Sequence, residues 1–219
     1  MDTDKFHSSN STDIIIGKNR QVDERAIIGY SPLRDDIDQS IRIGNNLIVL
    51  AGAIIYKGTR IGDNAIIGHN VVVREENIIG DNFKIWSNSV IDYGCNIGNN
   101  VKIHSNCYIA QFTSIEDNVF LAPGTTIGND PHPGCDFSIE CIKKANVFIK
   151  KGAQIGLNVT ILPNVVIGER ALVGAGAVVV DNVPAETVVT GNPARVSKSR
   201  YDLKCETGLT DNPYRRRQQ

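Results

Sequence analysis

The chain has 219 residues, a formal net charge of −1, 41% hydrophobic residues and 6% aromatics. This near-neutral balance offers no general attraction for polyanions, so nucleic acid is not an expected partner. No apolar run approaches the roughly 18 residues of a membrane span, and Met1–Thr12 is polar with no hydrophobic signal region; the expectation is a cytoplasmic protein without a membrane partner.

Met1–Thr12, rich in Ser, Asn and Asp, is expected to fray. Residues 13–40 hold irregular fragments, Ile14-Ile15-Ile16-Gly17 and Ala26-Ile27-Ile28-Gly29, then Tyr30-Ser31-Pro32 and a charged stretch, so 1–40 reads as an N-terminal arm and cap. From Ile43 a bulky aliphatic returns at every sixth residue, through Val49, Ile55, Ile61, Ile67, Val73, Ile79 and Ile85 to Ile115, Leu121 and Ile127. Two residues before each of them the side chain is mostly small or β-branched, as at Ala53, Thr59, Ala65, Cys95, Cys107, Thr113 and Thr125, so both positions must point inward. Glycine follows the aliphatic at Gly44, Gly62, Gly80 and Gly98, where its tolerance of positive φ marks a corner. Three six-residue sides make a triangular coil whose short strands stack on the next coil at about 4.8 Å. The fold class is therefore all-β, a parallel β-helix with an aliphatic interior too narrow for wide rings. A β-sandwich would need alternation over longer runs and turn signals at wider spacing.

The period breaks after Ile127 and returns at Ile149, then runs through Ile155, Ile161, Ile167, Val173 and Val179. Two prolines and a glycine fill the gap, so 129–146 is expected to leave the prism as a loop. Residues 41–128 should form about five coils and 147–182 about two, closed by Gly191-Asn192-Pro193-Ala194-Arg195. The β-helix domain thus spans 41–196, and 197–219 is a C-terminal tail. From Ser197 a short C-terminal helix is expected to cover the open edge, and Arg215-Arg216-Arg217-Gln218-Gln219 to be solvated.

Of the five cysteines, Cys95 and Cys107 hold the small inward position and read as core thiols. His132, Cys135 and Cys141 stand as His-x2-Cys-x5-Cys in the loop, a spacing that could hold zinc but lacks a fourth ligand. No metal is expected.

Units such as Ile61-Gly62-Asp63-Asn64-Ala65-Ile66 resemble those of the hexapeptide-repeat acyltransferases over about Ile41–Val196. That resemblance implies a left-handed coil, which the period alone does not show and which opposes the usual crossover rule. It also implies a homotrimer with sites between neighbouring prisms, since a filled prism has no internal cavity.

Asn129-Asp130-Pro131-His132-Pro133 is similar to the loop of the maltose and galactoside acetyltransferases, which makes His132 the candidate general base; a surface histidine in a Pro-rich loop is the bland alternative. Lys102-Ile103-His104-Ser105-Asn106 resembles a coil of the nucleotide-linked amino-sugar N-acetyltransferases, implying that Asn106 and His104 orient a sugar amine, although Asn is also a repeat corner residue at Asn64, Asn82 and Asn100. Outward positions are interrupted by Arg74, Lys84, Trp86, Asp92 and Tyr93: a cation could meet a pyrophosphate and a ring could stack on a base or sugar. With Asp130 these form the candidate acceptor set. The second block resembles the acyl-CoA end, which places donor contacts at Leu157, Ala175, Val180, Asp181 and Arg195, with Lys198 as a second cation near the last of these. Asp181 stands where the family commonly has Lys, which removes a phosphate partner.

The resemblance implies an N-acetyltransferase that uses acetyl-CoA as co-substrate and a nucleotide-linked amino sugar as acceptor, by direct attack. O-acetylation of a sugar or other small hydroxylated acceptor is the alternative. A γ-type carbonic anhydrase built on His69, His104 and His132 is a further one.

Overall fold

Parallel pairing of residues 18 apart organises the molecule. In a computed structural model describing residues 14–34 and 37–214, strands of two or three residues stack into three parallel sheets. The first side carries Ile41–Ile43, Arg60–Ile61, Ile78–Ile79, Asn96–Ile97, Ser114–Ile115, Phe148–Ile149 and Val166–Ile167. The second carries Ile48–Val49, Ile66–Ile67, Lys84–Ile85, Lys102–Ile103, Phe120–Leu121, Gln154–Ile155 and Leu172–Val173. The third carries Ile54–Tyr56, Val72–Val73, Val90–Ile91, Tyr108–Ile109, Thr126–Ile127, Thr160–Ile161 and Val178–Val179. The result is a left-handed parallel β-helix.

Residues 41–128 form five coils and 147–182 two, as the period requires. The fragments Ile14–Ile16, Gln21–Val22 and Ile27–Tyr30 stack beneath the first of these, one strand per side, with a register shift between Ile28 and Tyr30, and so form a further coil. The expectations for Met1–Thr12 and Arg215–Gln219 lie outside the described residues.

The periodic aliphatics from Ile43 to Val179 form one buried column per side, and the position two residues earlier is buried too. Burying a Val, Leu or Ile is worth about 1.5–3 kcal/mol each, so this repeated column dominates stability. Polar members of the second set are satisfied by corner carbonyls: Thr59 Oγ1 donates to Arg74 O (2.6 Å), Ser89 Oγ to His104 O (2.9 Å) and Thr113 Oγ1 to Ala110 O (2.7 Å). Cys95 and Cys107 are buried among them, and burial pushes the Cys95 thiol up to about 12. One ring does enter the interior, contrary to expectation. Phe83 is fully buried, and Ala65 occupies the same position in the coil below, where a larger residue would leave it no room.

The corner chemistry also differs from the sequence reading. Left-handed φ falls on the third residue after the aliphatic, mostly Asn: Asn46, Asn64, Asn82, Asn100 and Asn118 have φ of 57–61°. The glycines directly after the aliphatic are needed for close approach instead. At Gly62 a Cβ would collide with Asp81 Oδ1 and lie 2.8 Å from Gly80 C. That space is filled because side-chain oxygens of one coil accept backbone N–H groups of the coil before: Asp63 N donates to Asp81 Oδ1, Asp81 N to Asn99 Oδ1 and Asn99 N to Asp117 Oδ1, each at 2.8 Å. Beside this ladder the Asn46, Asn64, Asn82 and Asn100 amides hydrogen-bond in a second file.

The inserted segment leaves at the corner between the third and first sides, and Ser114–Ile115 still pairs with Phe148–Ile149 in register. It carries helix α1, Ser138–Lys144, which buries none of its residues. No helix starts at Ser197. Arg195–Ser199 instead runs antiparallel to Thr187–Thr190, which caps the second sheet with a strand, and only a 3-10 turn, Arg200–Asp202, follows. The reason is the unpaired edge that the last parallel strand presents, which a strand satisfies and a helix would only shield.

Replacing Gly62 with Ala should cost about 1–3 kcal/mol by overpacking, read as a lower urea midpoint; an unchanged midpoint would contradict the close-approach account.

Candidate functional site

The candidate residues fall on two different corners. The second corner, between the second and third sides, carries Trp86, His104, Asn106, Leu157 and Ala175, with Lys84 outward on the adjoining strand. The third corner, between the third and first sides, carries Arg74, Asp92, Tyr93, Val180 and Asp181, and the loop with Asp130 and His132 leaves from it. One six-residue side separates the two, at most about 20 Å. Within a protomer no hydrogen bond joins His132 to His104 or Asn106 among the described residues.

At the second corner the backbone offers unused donors. At the first corner, side-chain oxygens cap the N–H of the second residue after the aliphatic at Asn45, Asp63, Asp81, Asn99 and Lys151. At the second corner the matching N–H groups of Leu157 and Ala175 have no acceptor among the described residues, while Leu157 O accepts from Gly176 N (2.7 Å). Gly156 permits this, since a Cβ there would lie 2.7 Å from Ala175 N. Two free N–H groups, one coil apart, therefore suit a ligand with amide carbonyls. His104 is half-buried against Phe120, centroids 5.2 Å apart. Burial and nearby Lys102 hold its imidazole below the ordinary value, which favours the neutral form. Asn106 is an exposed corner residue with φ 60°, and its amide has no protein partner among the described residues. It is a repeat residue by conformation and a free polar group by exposure.

At the third corner the expected acceptor contacts are tied to one another. The Arg74 guanidinium meets Asp92 (3.0 Å) and Glu75 (3.0 and 3.2 Å). Burial opposes its charge, but Asp92 and Glu75 outweigh that and raise its pKa. Arg34 reaches Glu76 (2.7 Å) and Glu75 (3.4 Å) and lies 4.1 Å over the Tyr93 ring. Phe112 packs edge-on against the same ring, 5.3 Å between centroids. Asp92 also accepts from Tyr93 N (2.9 Å) and from the Tyr108 hydroxyl (2.8 Å), and burial together with Asp92 pushes the Tyr108 phenol up to about 12. A pyrophosphate reaching Arg74 would have to displace carboxylates, and Tyr93 has little free face for a base. The sequence reading missed this network because its members, Arg34, Glu75 and Tyr108, are separated along the chain and none is unusual alone.

In the loop, Asp130 Oδ1 accepts the backbone N–H of His132 (2.9 Å), and the exposed His132 imidazole has no hydrogen-bond partner among the described residues. Arg195, 63% exposed, is paired with Asp181 (3.1 Å), so the acidic residue at 181 occupies this cation. Such an exposed pair is worth about 0–1 kcal/mol, and a phosphate could displace it. Among the described residues no group of three or more His, Cys, Asp or Glu is placed to hold a metal ion. His69 and His104 lie at the second corner and His132 beyond the third, so the carbonic anhydrase reading finds no gathered ligand set.

Glu75 is fully buried and Arg74 only partly so. Glu75→Ala should therefore lose about 2–4 kcal/mol of stability in chemical denaturation; a loss below about 0.5 kcal/mol, as for an ordinary surface site, would contradict the network's structural role.

Known proteins align with this architecture. The bacterial transferase hexapeptide (six repeats) family matches residues 40–75, 78–111, 94–129 and 146–181. The dTDP-3-amino-3,6-dideoxy-alpha-D-galactopyranose 3-N-acetyltransferase of Aneurinibacillus thermoaerophilus is 44% identical over 61 residues, 28% of this chain and 31% of that protein. Galactoside O-acetyltransferase of Escherichia coli K12 is 33% identical over 94 residues, 41% of this chain and 45% of that protein. The chain thus spans less than half the length of these curated relatives. Among solved structures, a mutant of AntD, an N-acyltransferase from Bacillus cereus in complex with dTDP and coenzyme A, superposes with a TM-score of 0.47 at 22% identity, covering 72% of this chain and 83% of that one. The family match runs over more than half of the residues and follows the coils themselves: the chain belongs to the bacterial transferase hexapeptide family.

Proposed function

We propose that the protein transfers an acetyl group from acetyl-CoA to the amine of a nucleotide-linked amino sugar, in the supply of activated sugars for cell-surface polysaccharide. The observation that carries the donor half is the pair of free N–H groups at Leu157 and Ala175, one coil apart on one corner. The pantetheine arm of coenzyme A presents amide carbonyls that accept from such donors. The amine is oriented by Asn106 and by neutral His104, and attacks the thioester carbon. A C–N bond forms, the C–S bond breaks, and the thiolate takes up the proton that the amine sheds through His132. No acyl-enzyme forms in this scheme.

Because His132 and the second-corner residues stand on different corners, the reaction centre is assigned to a junction between copies of the chain, as a homotrimer. Two features support it. Helix α1 fully buries none of its residues in its own protomer, and Phe137 before it and Ile139 within it are each 67% exposed. The similarity to a dTDP-amino-sugar N-acetyltransferase supports the acceptor class.

Transfer to a sugar hydroxyl is the second reading, favoured by the longer match to a galactoside O-acetyltransferase. The two differ in their need for a base, because a hydroxyl is a far weaker nucleophile than a neutral amine. A panel of nucleotide-linked amino sugars and of plain glycosides, assayed with acetyl-CoA by thiol release, separates them. The proposal expects turnover on an amino sugar that falls by about 10²-fold or less in His132→Ala. Turnover confined to hydroxyl acceptors would overturn it, as would the absence of thiol release with every acceptor.

A further inference from the structure

The C-terminal tail walls one side of a groove on the outward surface of the second side. After Arg195–Ser199 the chain turns at Arg200, only 7% exposed, whose guanidinium donates to Arg170 O (2.6 Å) and Gly152 O (3.2 Å) at the first corner. Residues beyond it fold back on this anchor. Asn212 Nδ2 donates to Tyr201 O (2.6 Å), Asn212 Oδ1 accepts from Tyr214 N (3.0 Å), and the Tyr214 ring lies 4.3 Å from the Arg200 guanidinium carbon. Tyr214 is thereby held over the outward surface of the second side. Between it and the second corner runs a groove of about 230 Å³, lined by Phe120, Gln154, Leu172, Gly174, Ala175 and Tyr214.

Three features of this groove point to one kind of occupant. Its lining is mostly apolar, with a single amide at Gln154. Its rim carries the free N–H of Ala175. Its Phe120 end touches His104, so a chain laid along it from Tyr214 ends beside the imidazole assigned to the acceptor amine. A slender, largely apolar arm with amide groups and a reactive terminus meets all three conditions.

We infer that Tyr214 is a positioning residue for the acyl donor, its ring forming the outer wall of the groove that holds the pantetheine arm and aims the thioester at His104. The inference rests on the donor reading above. Tyr214 acts on binding and placement, not on bond making, and it uses its ring face, not its hydroxyl. Arg200 fixes the ring and does not itself meet the donor.

The test compares full-length wild type, Tyr214→Ala and Tyr214→Phe by calorimetry with acetyl-CoA and with adenosine 3′,5′-bisphosphate, which lacks the arm. Removing the ring should weaken acetyl-CoA about tenfold, leave adenosine 3′,5′-bisphosphate unaffected, and raise KM for acetyl-CoA with little change in kcat. Tyr214→Phe should restore the affinity. Equal weakening of both ligands, unchanged acetyl-CoA affinity in Tyr214→Ala, or a Phe variant as weak as the Ala variant would overturn the assignment while leaving the donor reading intact. Failure of the wild type itself to bind acetyl-CoA would overturn that reading and this inference together.

Discussion

Stacking of each coil on the next with a shift of 18 residues is the constraint on which everything else depends. It places one aliphatic column on each side and brings backbone of successive corners so close that side chains are excluded there or must act as hydrogen-bond partners. At the first corner the close approach is used for stability, since Asp and Asn oxygens of one coil cap the N–H groups of the coil before. At the second corner the same geometry lacks such side chains near Leu157 and Ala175, and the backbone donors stay open. One repeat therefore yields a capped edge and an open edge, and the difference is a few side chains.

The third corner shows a third use of that geometry. There the repeat is interrupted by Arg74, Glu75 and Asp92, and Arg34 from the segment before the first long coil joins them. Burying Glu75 without these cations would be prohibitive, because an unpaired charge loses its hydration with no return. The network ties residues 34, 75 and 92 together and stands beneath the departing loop.

The period of six made the architecture legible in the sequence, because every side of the prism repeats the same burial demand. Coil number, the loop at 129–146 and the core thiols Cys95 and Cys107 all followed from it. Corner glycines were assigned to the wrong physical cause. Conformation and close approach both select glycine, and only the neighbouring coil's Asp81 or Asn99 shows which applies. Phe83 was unforeseen because room for a ring depends on Ala65 in the coil below, a relation visible only when coils are aligned. The C-terminal strand was misjudged as a helix because Arg195–Ser199 carries no clear alternation and answers to a sheet edge elsewhere. The site was less legible still. Arg74, Asp92 and Tyr93 stood out as interruptions of a bland surface, yet their partners are mainly each other. Tyr214 gave no local signal, since its place comes from the buried Arg200 and from Asn212.

What unites the fold with the proposed chemistry is one pair of uncapped amides on the second corner, those of Leu157 and Ala175. Backbone amide exchange, resolved residue by residue, reports on them directly. Adding acetyl-CoA should slow exchange at Leu157 and Ala175 while leaving the already capped Asp63, Asp81 and Asn99 as they were. Slowing at other corners alone, or no slowing at saturating acetyl-CoA, would contradict the account.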